Sequence, residues 1–316
     1  GRNEEALKCY NDALDLNDNL AVAWNNKARS LGKFSKYEEA LVCYARALKL
    51  NPKFVVAHHN NGLTYKLLGQ HDKAVECYER ALEIDPEFQH AWFDCAVSYY
   101  KLGEYQKSID YTSHSLHLAV DDAAAWYNLG LANERLERYE EAMKCYDKAL
   151  ELEGGRADVL AGKASVLRST EKFDEALEYC EKALKLNPTH LNALNLKGQV
   201  YSSQSKYDEA LKCYQKALDV DDRFPILWDN KGKAFAHLRK YEEALDCFEK
   251  GIERDKDNAT LWNNKAAILT NLQRFEEGLE SVKHALELDD KLAVAWFTKG
   301  EIYEKLGKKE SAKEFA

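Results

Sequence analysis

The sequence predicts an all-α solenoid made of a 34-residue repeat that holds two helices. One stretch recurs, since KYEEALVCY at residues 36–44 returns as KYDEALKCY at 206–214 and as KYEEALDCF at 240–248, at intervals of 170 and 34 residues. Helix-breaking pairs close several periods, as at Asn51-Pro52. All six tryptophans share one position of this period: Trp24, Trp92, Trp126, Trp228, Trp262 and Trp296.

Rows of 34 residues cover the chain without an insertion or a deletion. The full rows are 21–54, 55–88, 89–122, 123–156, 157–190, 191–224, 225–258 and 259–292. A half row, 1–20, precedes them, and a partial row, 293–316, follows them. We therefore predict a single solenoid over residues 1–316, and the two incomplete rows indicate a segment of a longer chain.

Two helices are predicted in each row from apolar patterns of helical period, such as Trp24 with Ala28 and then Ala40 with Tyr44 and Ala47. Only Ala or Gly stands four residues after the tryptophan column. Small residues let two helices approach closely, while a large aromatic side chain of a neighbouring helix fills the space beside them. One helix pair cannot bury its apolar face alone, so the rows are predicted to stack around a continuous core.

Composition narrows the classes of function. The net charge of −9 argues against nucleic acid as a partner, because that binding depends on Lys and Arg at phosphates. No apolar run approaches the roughly 18 residues of a membrane span, so no membrane partner is expected. Six cysteines on the 34-residue lattice are predicted to be small buried thiols in a reducing cytoplasm: Cys9, Cys43, Cys77, Cys145, Cys213 and Cys247.

The order Trp-x-x-x-Gly/Ala, then Tyr-x-x-Ala twice, then Asp/Asn-Pro, at a period of 34, resembles the tetratricopeptide repeat. The resemblance covers the whole chain, and AWNNK at 23–27 is similar to repeat proteins of methanogenic archaea. It implies a right-handed superhelix whose first helices line a concave groove and whose second helices face the convex side. Members mostly bind peptides or helices in that groove, so the resemblance implies a protein-binding scaffold and not an enzyme.

An asparagine column is the most regular candidate in the implied groove. An amide side chain can pair with both the NH and the CO of an extended peptide, and such a column resembles the asparagine ladder in the repeats of O-GlcNAc transferase. Asp94, Gly162, Leu196 and Thr298 interrupt it. The alternative is that Asn is simply common at this place in the repeat. The column comprises Asn26, Asn60, Asn128, Asn230 and Asn264.

An apolar patch and an excess of basic residues are the other groove candidates. Buried aromatic residues serve as interface anchors, although stacked helices carry apolar residues in any case. The patch comprises Phe93, Val97, Tyr100, Tyr127 and Leu131, with Leu63 beside it. Eight basic residues, among them Arg29, Lys101 and Arg135, stand against six acidic ones in the inferred groove. A mildly acidic or neutral ligand would fit. The Lys/Asn pair with which some members clamp the terminal carboxylate of chaperones is absent.

No cofactor, metal or catalytic group is expected. His114 and His117 lie on one helix face, but no acidic or Cys partner follows at a zinc spacing, so a surface pair is expected. The predicted function is a cytoplasmic scaffold that binds a peptide or helical segment of a partner protein. Two alternatives remain: a substrate-recruiting arm of an enzyme whose catalytic domain lies elsewhere, and a structural protein that self-associates end to end.

Overall fold

The computed structural model describes the backbone of residues 2–314 and the side chains of residues 2–307. Eighteen helices and no strand occur in that part of the chain, which confirms the all-α fold. The chain divides into two compact units between Gly154 and Gly155. Gly1 of the predicted half row and residues 315–316 of the predicted partial row lie outside the described residues. None of the described helices combines the length and apolar character that a bilayer-spanning helix requires.

Unit 1 contains nine helices, which pack in chain order. They are α1 (Arg2–Leu16), α2 (Ala21–Lys33), α3 (Tyr37–Leu50), α4 (Val55–Leu67), α5 (His71–Ile84), α6 (Gln89–Lys101), α7 (Tyr105–Leu118), α8 (Ala123–Arg135) and α9 (Tyr139–Leu152). In each full row a first helix of 13 residues is followed by a second helix of 14 residues. The first helix begins at the first residue of its predicted row in all four full rows.

Unit 2 also contains nine helices with the same alternation. They are α10 (Ala157–Ser169), α11 (Phe173–Leu186), α12 (Leu191–Ser203), α13 (Tyr207–Val220), α14 (Pro225–His237), α15 (Tyr241–Arg254), α16 (Ala259–Asn271), α17 (Phe275–Leu288) and α18 (Ala293–Glu314). Its full rows again hold helices of 13 and 14 residues. Helix α18 is longer, with 22 residues.

The loops between rows are short and are closed by Asx turns. The side chain of Asn51 accepts a hydrogen bond from the backbone NH of Lys53 at 3.1 Å, and Asp85 accepts one from Glu87 at 3.1 Å. Asn and Asp favour such turns because their side chains can hydrogen-bond to the backbone two residues further on. The predicted helix breakers therefore end the second helices, and Ala119 and Glu153 stand where two rows of unit 1 lack an Asx residue.

The turn between the two helices of a row is a Schellman motif in all eight full rows. In row 21–54 the backbone NH of Ser35 donates to Gly32 O and that of Lys36 donates to Leu31 O, at 3.0 and 3.1 Å. The residue equivalent to Ser35 has a left-handed backbone in every row, and it is glycine only at Gly69 and Gly103. The other left-handed residues are Ser35, Glu137, Glu171, Ser205, Arg239 and Gln273, with φ of 58 to 60°.

Glycine at these left-handed positions is expected to stabilise the fold. A left-handed residue with a Cβ costs about 1–2 kcal/mol, part of which glycine loses again through its flexibility in the unfolded chain. We expect Glu171→Gly and Arg239→Gly in unit 2 each to raise the free energy of unfolding by about 0.5–1 kcal/mol. Urea unfolding followed by circular dichroism measures it. Gly103→Ala is the matched control and should lower stability, and a loss of stability in the glycine variants would contradict the explanation.

Packing within a row matches a small residue on the first helix to a ring on the second. A Cβ built on Gly130 would lie 2.4 Å from Cε1 of Tyr146, and one on Gly198 would lie 2.4 Å from Cε1 of Tyr214. These rings fill the space that the glycines leave, and both tyrosines are almost completely buried. Three of the four full rows with alanine in this position have a smaller partner, such as Thr112 in the row of Ala96, whereas row 21–54 combines Ala28 with Tyr44. The predicted close approach of the two helices is therefore confirmed.

The tryptophan column joins each first helix to the loop that precedes it. The indole NH of every Trp donates to the backbone carbonyl six residues earlier, at 2.8 or 2.9 Å, and the ring of His58 makes the equivalent contact with Pro52 O. In four rows a lysine three residues later lies over the indole, as Lys27 does over Trp24. These residues hold the joints between rows.

The cysteines are unpaired, and most of the predicted thiols are buried. Burial raises the pKa of the Cys77 thiol, and likewise that of Cys145, to about 11. The prediction was wrong for Cys9, which is exposed. Cys9 lies on α1, and no described first helix precedes α1 to cover it.

Candidate functional site

All twelve predicted site residues lie on first helices. Arg29 and Asn26 belong to α2, Asn60 to α4, and Asn230 and Asn264 to α14 and α16 of unit 2. The remaining seven are Phe93, Tyr100 and Lys101 on α6, and Tyr127, Asn128, Leu131 and Arg135 on α8.

The asparagine column forms hydrogen bonds between neighbouring rows. The amide of Asn60 donates to Oδ1 of Asn25 at 3.1 Å, that of Asn230 to Oδ1 of Asn195 at 2.8 Å, and that of Asn264 to Asp229 at 2.7 Å. Each bond joins a residue of the column to the residue after the tryptophan position in the preceding row. One NH of each amide is therefore used within the stack. An amide side chain has a second NH and a carbonyl oxygen with which it can form further hydrogen bonds.

The two ends of the column in unit 1 differ from this pattern. Asn128 is only 6% exposed, and its amide donates to Thr112 Oγ1 at 2.9 Å and to Ser108 Oγ at 3.4 Å. Its side chain is thus committed to α7 and does not line an open surface. Asn26 accepts a hydrogen bond from Nδ2 of Asn25 at 3.2 Å and is partly exposed.

Asp94 interrupts the asparagine column with an ion-pair cluster. Its Oδ2 lies 2.9 Å from Nε2 of His59, and its Oδ1 accepts from Nζ of Lys66 at 2.6 Å. Burial favours the neutral acid, but the hydrogen bonds from His59 and Lys66 outweigh it and hold the pKa of Asp94 below its ordinary value. The carboxylate is therefore ionised at neutral pH, and Lys66 balances its negative charge.

The stabilising effect of Asp94 is expected to disappear in acid. A carboxyl whose pKa is lowered in the folded chain stabilises the fold above its ordinary pKa of 3.8, and this contribution is lost as the pH falls below about 4 through the folded pKa. We expect Asp94→Asn to cost about 1–2 kcal/mol at pH 7 and much less at pH 3. Urea unfolding at the two pH values measures the difference. Asp18→Asn breaks an exposed ion pair with Arg46 and should cost little at either pH. An equal loss for Asp94→Asn at both would contradict the assignment.

An apolar and cationic surface covers one side of α6 and α8. Two pairs of residues hold the same repeat position on the two helices: Phe93 with Tyr127, and Lys101 with Arg135. Tyr100 on α6 and Leu131 on α8 lie on the same side of their helices by helical spacing. We call this surface, defined by these six residues, the first-helix face of unit 1. Its four apolar residues are all partly exposed, whereas Lys101 and Arg135 are exposed.

The rings of the first-helix face are held in place by neighbouring side chains. The rings of Tyr100 and Tyr105 lie 5.4 Å apart, and the Arg135 guanidinium lies 5.0 Å from the centre of the Tyr105 ring. Arg135 also hydrogen-bonds to the hydroxyl of Tyr100, whose pKa is raised by burial despite this contact. Tyr127 lies 5.9 Å from Tyr146. The structure therefore brings together the predicted aromatic and basic residues of α6 and α8.

Unit 2 carries a cleft that the sequence did not indicate. Its volume is about 720 Å³, and it lies between α16 and α17 with Trp262 and His284 in its wall, their rings 4.4 Å apart. Glu276, Glu280 and Glu287 line its rim. Lys265, which also lines it, is paired with Glu249 at 2.9 Å.

The histidine pair of α7 lies at the surface, as expected. His114 and His117 are exposed, and the ring of His114 stacks on Trp92 with centroids 4.5 Å apart. Among the side chains at positions 2–307, no group of three His, Cys, Asp or Glu residues is arranged to hold a metal ion.

Comparison with protein families decides the identity of the repeat. Four models, all described as tetratricopeptide repeat, match residues 21–54, 55–88, 123–154, 155–223, 195–259, 230–293 and 293–316. The chain belongs to the tetratricopeptide repeat family. The irregular row 89–122, with Ser108 and Thr112 in its second helix, is the full row outside these matches. The finer resemblance to tetratricopeptide repeat proteins of methanogenic archaea stays a prediction.

Solved tetratricopeptide repeat structures resemble this chain in fold. A repeat protein from Parabacteroides merdae has a TM-score of 0.71 at 18% identity and covers 79% of this chain and 98% of its own. The Cut9-Hcn1 hetero-tetramer of APC/C gives 0.66 at 17% identity, covering 92% and 58%. YrrB, described as having an unusual peptide-binding site, gives 0.53 at 24% identity, covering 60% and 97%. At these identities the likeness concerns the fold alone. Comparison with curated protein sequences finds no match.

Proposed function

We propose that this protein is a protein-interaction scaffold that binds a peptide or helical segment of a partner on the first-helix face of unit 1. The observation that carries the proposal is the cluster of partly exposed Phe93, Tyr127 and Leu131 on two neighbouring first helices, next to the exposed bases Lys101 and Arg135. Aromatic and Arg side chains are the usual anchors of protein interfaces. Membership in the tetratricopeptide repeat family supports this role and gives no reason to expect catalysis.

The asparagine column has a smaller part in the proposed binding. In unit 1, Asn26 and Asn60 are partly exposed and keep hydrogen-bonding capacity towards a peptide backbone. Asn230 and Asn264 of unit 2 have the same exposure and capacity, but they are not part of the site proposed on unit 1. Asn128 is left out because its amide is buried against α7. Backbone contacts of this kind would hold a partner without reading its sequence, so specificity would come from the apolar and basic side chains.

Affinity capture with a variant of the first-helix face tests the proposal. The wild-type chain and a Phe93→Ala, Tyr127→Ala, Leu131→Ala variant are used as baits in lysate of the source cells, and bound proteins are identified by mass spectrometry. We expect a partner that the variant loses by more than about tenfold, because several anchors are removed at once. The interacting segment is then mapped with overlapping peptides of that partner.

A control variant makes the capture result specific to the first-helix face. Val42 on α3 and Leu118 on α7 are exposed apolar residues of second helices in the same unit. Val42→Ala with Leu118→Ala should retain the partner. A partner that the control loses and the first-helix-face variant keeps would contradict the proposal. Recovery of only the bait protein would favour self-association. Circular dichroism and urea unfolding establish that both variants are folded.

A further inference from the structure

The two units differ in charge where their first helices end. In unit 1 the first helices α2, α6 and α8 end in Lys33, Lys101 and Arg135, all three exposed, whereas α4 ends in Leu67. In unit 2 the corresponding helices α10, α12, α14 and α16 end in Ser169, Ser203, His237 and Asn271. A base at a helix C-terminus is favoured by the helix dipole. That effect acts equally in both units, so it does not explain why bases occupy this position on the adjacent helices α6 and α8, whereas Ser, His or Asn occupies it in the full rows of unit 2.

The acidic groups of α6 and α8 beside the first-helix face already have partners. Asp94 is paired with Lys66 and His59, and Glu134 accepts a hydrogen bond from the hydroxyl of Tyr146 at 2.7 Å. In the described part of the chain, neither Lys101 nor Arg135 has a carboxylate within ion-pair distance. Arg135 instead contacts the ring of Tyr105. Lys101 and Arg135 therefore carry positive charge without an ion-pair partner next to the apolar residues of the face.

Two buried polar atoms of α5 lack a hydrogen-bond partner. They are Nδ1 of His71 and the hydroxyl of Tyr78. Burial, with the positive charges of Lys101 and Lys66, lowers the pKa of His71, so its ring is neutral at neutral pH. The hydroxyls of Tyr146 and Tyr214 pair with the residue 12 positions earlier, Glu134 or Ser202, but Tyr78 has Lys66 in that place. Both atoms are shielded from solvent, so they are unsatisfied within the fold and do not contact a bound segment.

We propose that the occupant of the first-helix face is an acidic segment of the partner. Its carboxylates lie at Lys101 and Arg135, and its apolar side chains lie on Phe93 and Tyr127. This inference rests on the function proposed above and adds the chemistry of the partner. The arrangement differs from a clamp on a chain terminus, since the bases stand in a row across neighbouring repeats.

Repeat spacing sets the pattern of the acidic residues. Lys101 and Arg135 occupy the same position of adjacent rows, so their helices are about 10 Å apart. A peptide in the polyproline II conformation advances about 3.1 Å per residue with three residues per turn, so side chains three residues apart lie on one side and span about one row. The partner segment therefore carries Asp or Glu at every third residue, with an aromatic or aliphatic residue between the acids.

Selection from a library of random displayed peptides tests this inference without a known partner. The full chain and a Lys101→Gln, Arg135→Gln variant are used as targets, and selected peptides are synthesised and measured by fluorescence anisotropy. We expect peptides selected on the wild type to be enriched in acids three residues apart. Their Kd should rise about tenfold on the double variant, because two charge-assisted contacts are lost. Peptides with Gln in place of Glu should lose affinity to a similar extent.

A matched variant and a second surface variant separate the outcomes. Lys53→Gln with Lys144→Gln removes the same charge from exposed sites on a loop and on α9 and should leave Kd within about twofold. One outcome would overturn the inference and leave the proposed function standing. In it, the selected peptides lack acids, bind the Phe93→Ala, Tyr127→Ala variant much more weakly, and bind the Lys101→Gln, Arg135→Gln variant as tightly as the wild type. Peptides unaffected by either double variant, or the absence of any binder, would overturn both.

Discussion

Trp228→Ala is expected to lower the free energy of unfolding by about 3–5 kcal/mol. Trp228 is 9% exposed and packs in unit 2 with Leu194 and Leu218 among others. Its indole NH also donates to Asp222 O at 2.9 Å, so the substitution leaves a cavity and an unpaired carbonyl at the joint between two rows. Urea unfolding measured by tryptophan fluorescence and by circular dichroism gives the loss.

Trp296 provides the control within the same column. Its indole makes the same backbone hydrogen bond, to Asp290 O at 2.8 Å, but the side chain is 53% exposed on α18. Trp296→Ala should therefore cost about 1 kcal/mol or less, the contribution of the hydrogen bond with little burial. Equal losses at Trp228 and Trp296 would show that the hydrogen bond, and not the packing of the ring, holds the joint.

Gly130→Ala is expected to destabilise unit 1 by about 2 kcal/mol, although alanine favours helices. The new Cβ would lie 2.4 Å from Cε1 of Tyr146, inside van der Waals contact. Because the Tyr146 ring is fully buried and its hydroxyl is fixed on Glu134, it cannot move away freely. The loss is measured by urea unfolding.

Two further variants identify the clash as the cause. Gly300 holds the same position on α18 and has no heavy atom near a built Cβ, so Gly300→Ala should be neutral or slightly stabilising. Gly130→Ala combined with Tyr146→Val should show a favourable coupling energy, since row 259–292 combines Ala266 with Val282 at these positions. Additive effects of the two substitutions would contradict the explanation. Row 21–54, which combines Ala28 with Tyr44, shows that a row built around both residues can accommodate them.

The regular elements could be predicted because each depends on a residue type that recurs at 34 residues. Tryptophan and alanine columns mark the helices, and Asn51-Pro52 marks a joint. The left-handed turn residue was visible only at Gly69 and Gly103, because the other rows accept Glu, Ser, Arg or Gln there. The Schellman hydrogen bonds stabilise that turn whatever the side chain, so composition does not reveal it.

The candidate site was harder to predict, because its contacts join positions that differ by 35 residues. Asn60 bonds to Asn25, one place off the 34-residue column, so aligned rows do not show the pair. Asn128 is buried because Ser108 and Thr112 on α7 provide acceptors where other rows have apolar residues. By contrast, Phe93, Tyr127 and Arg135 could be placed on one face, since helical spacing alone decides which side of α6 and α8 they occupy.

Site-specific photo-cross-linking tests most directly whether the first-helix face of unit 1 binds the partner. A photoreactive phenylalanine analogue replaces Phe93 in one version of the chain and Val42, an exposed residue of α3, in another. Both are irradiated in lysate of the source cells, and adducts are identified by mass spectrometry. We expect an adduct with one partner peptide from position 93 and none from position 42. An adduct of that partner from position 42 alone would place binding on the second helices and contradict the proposed function.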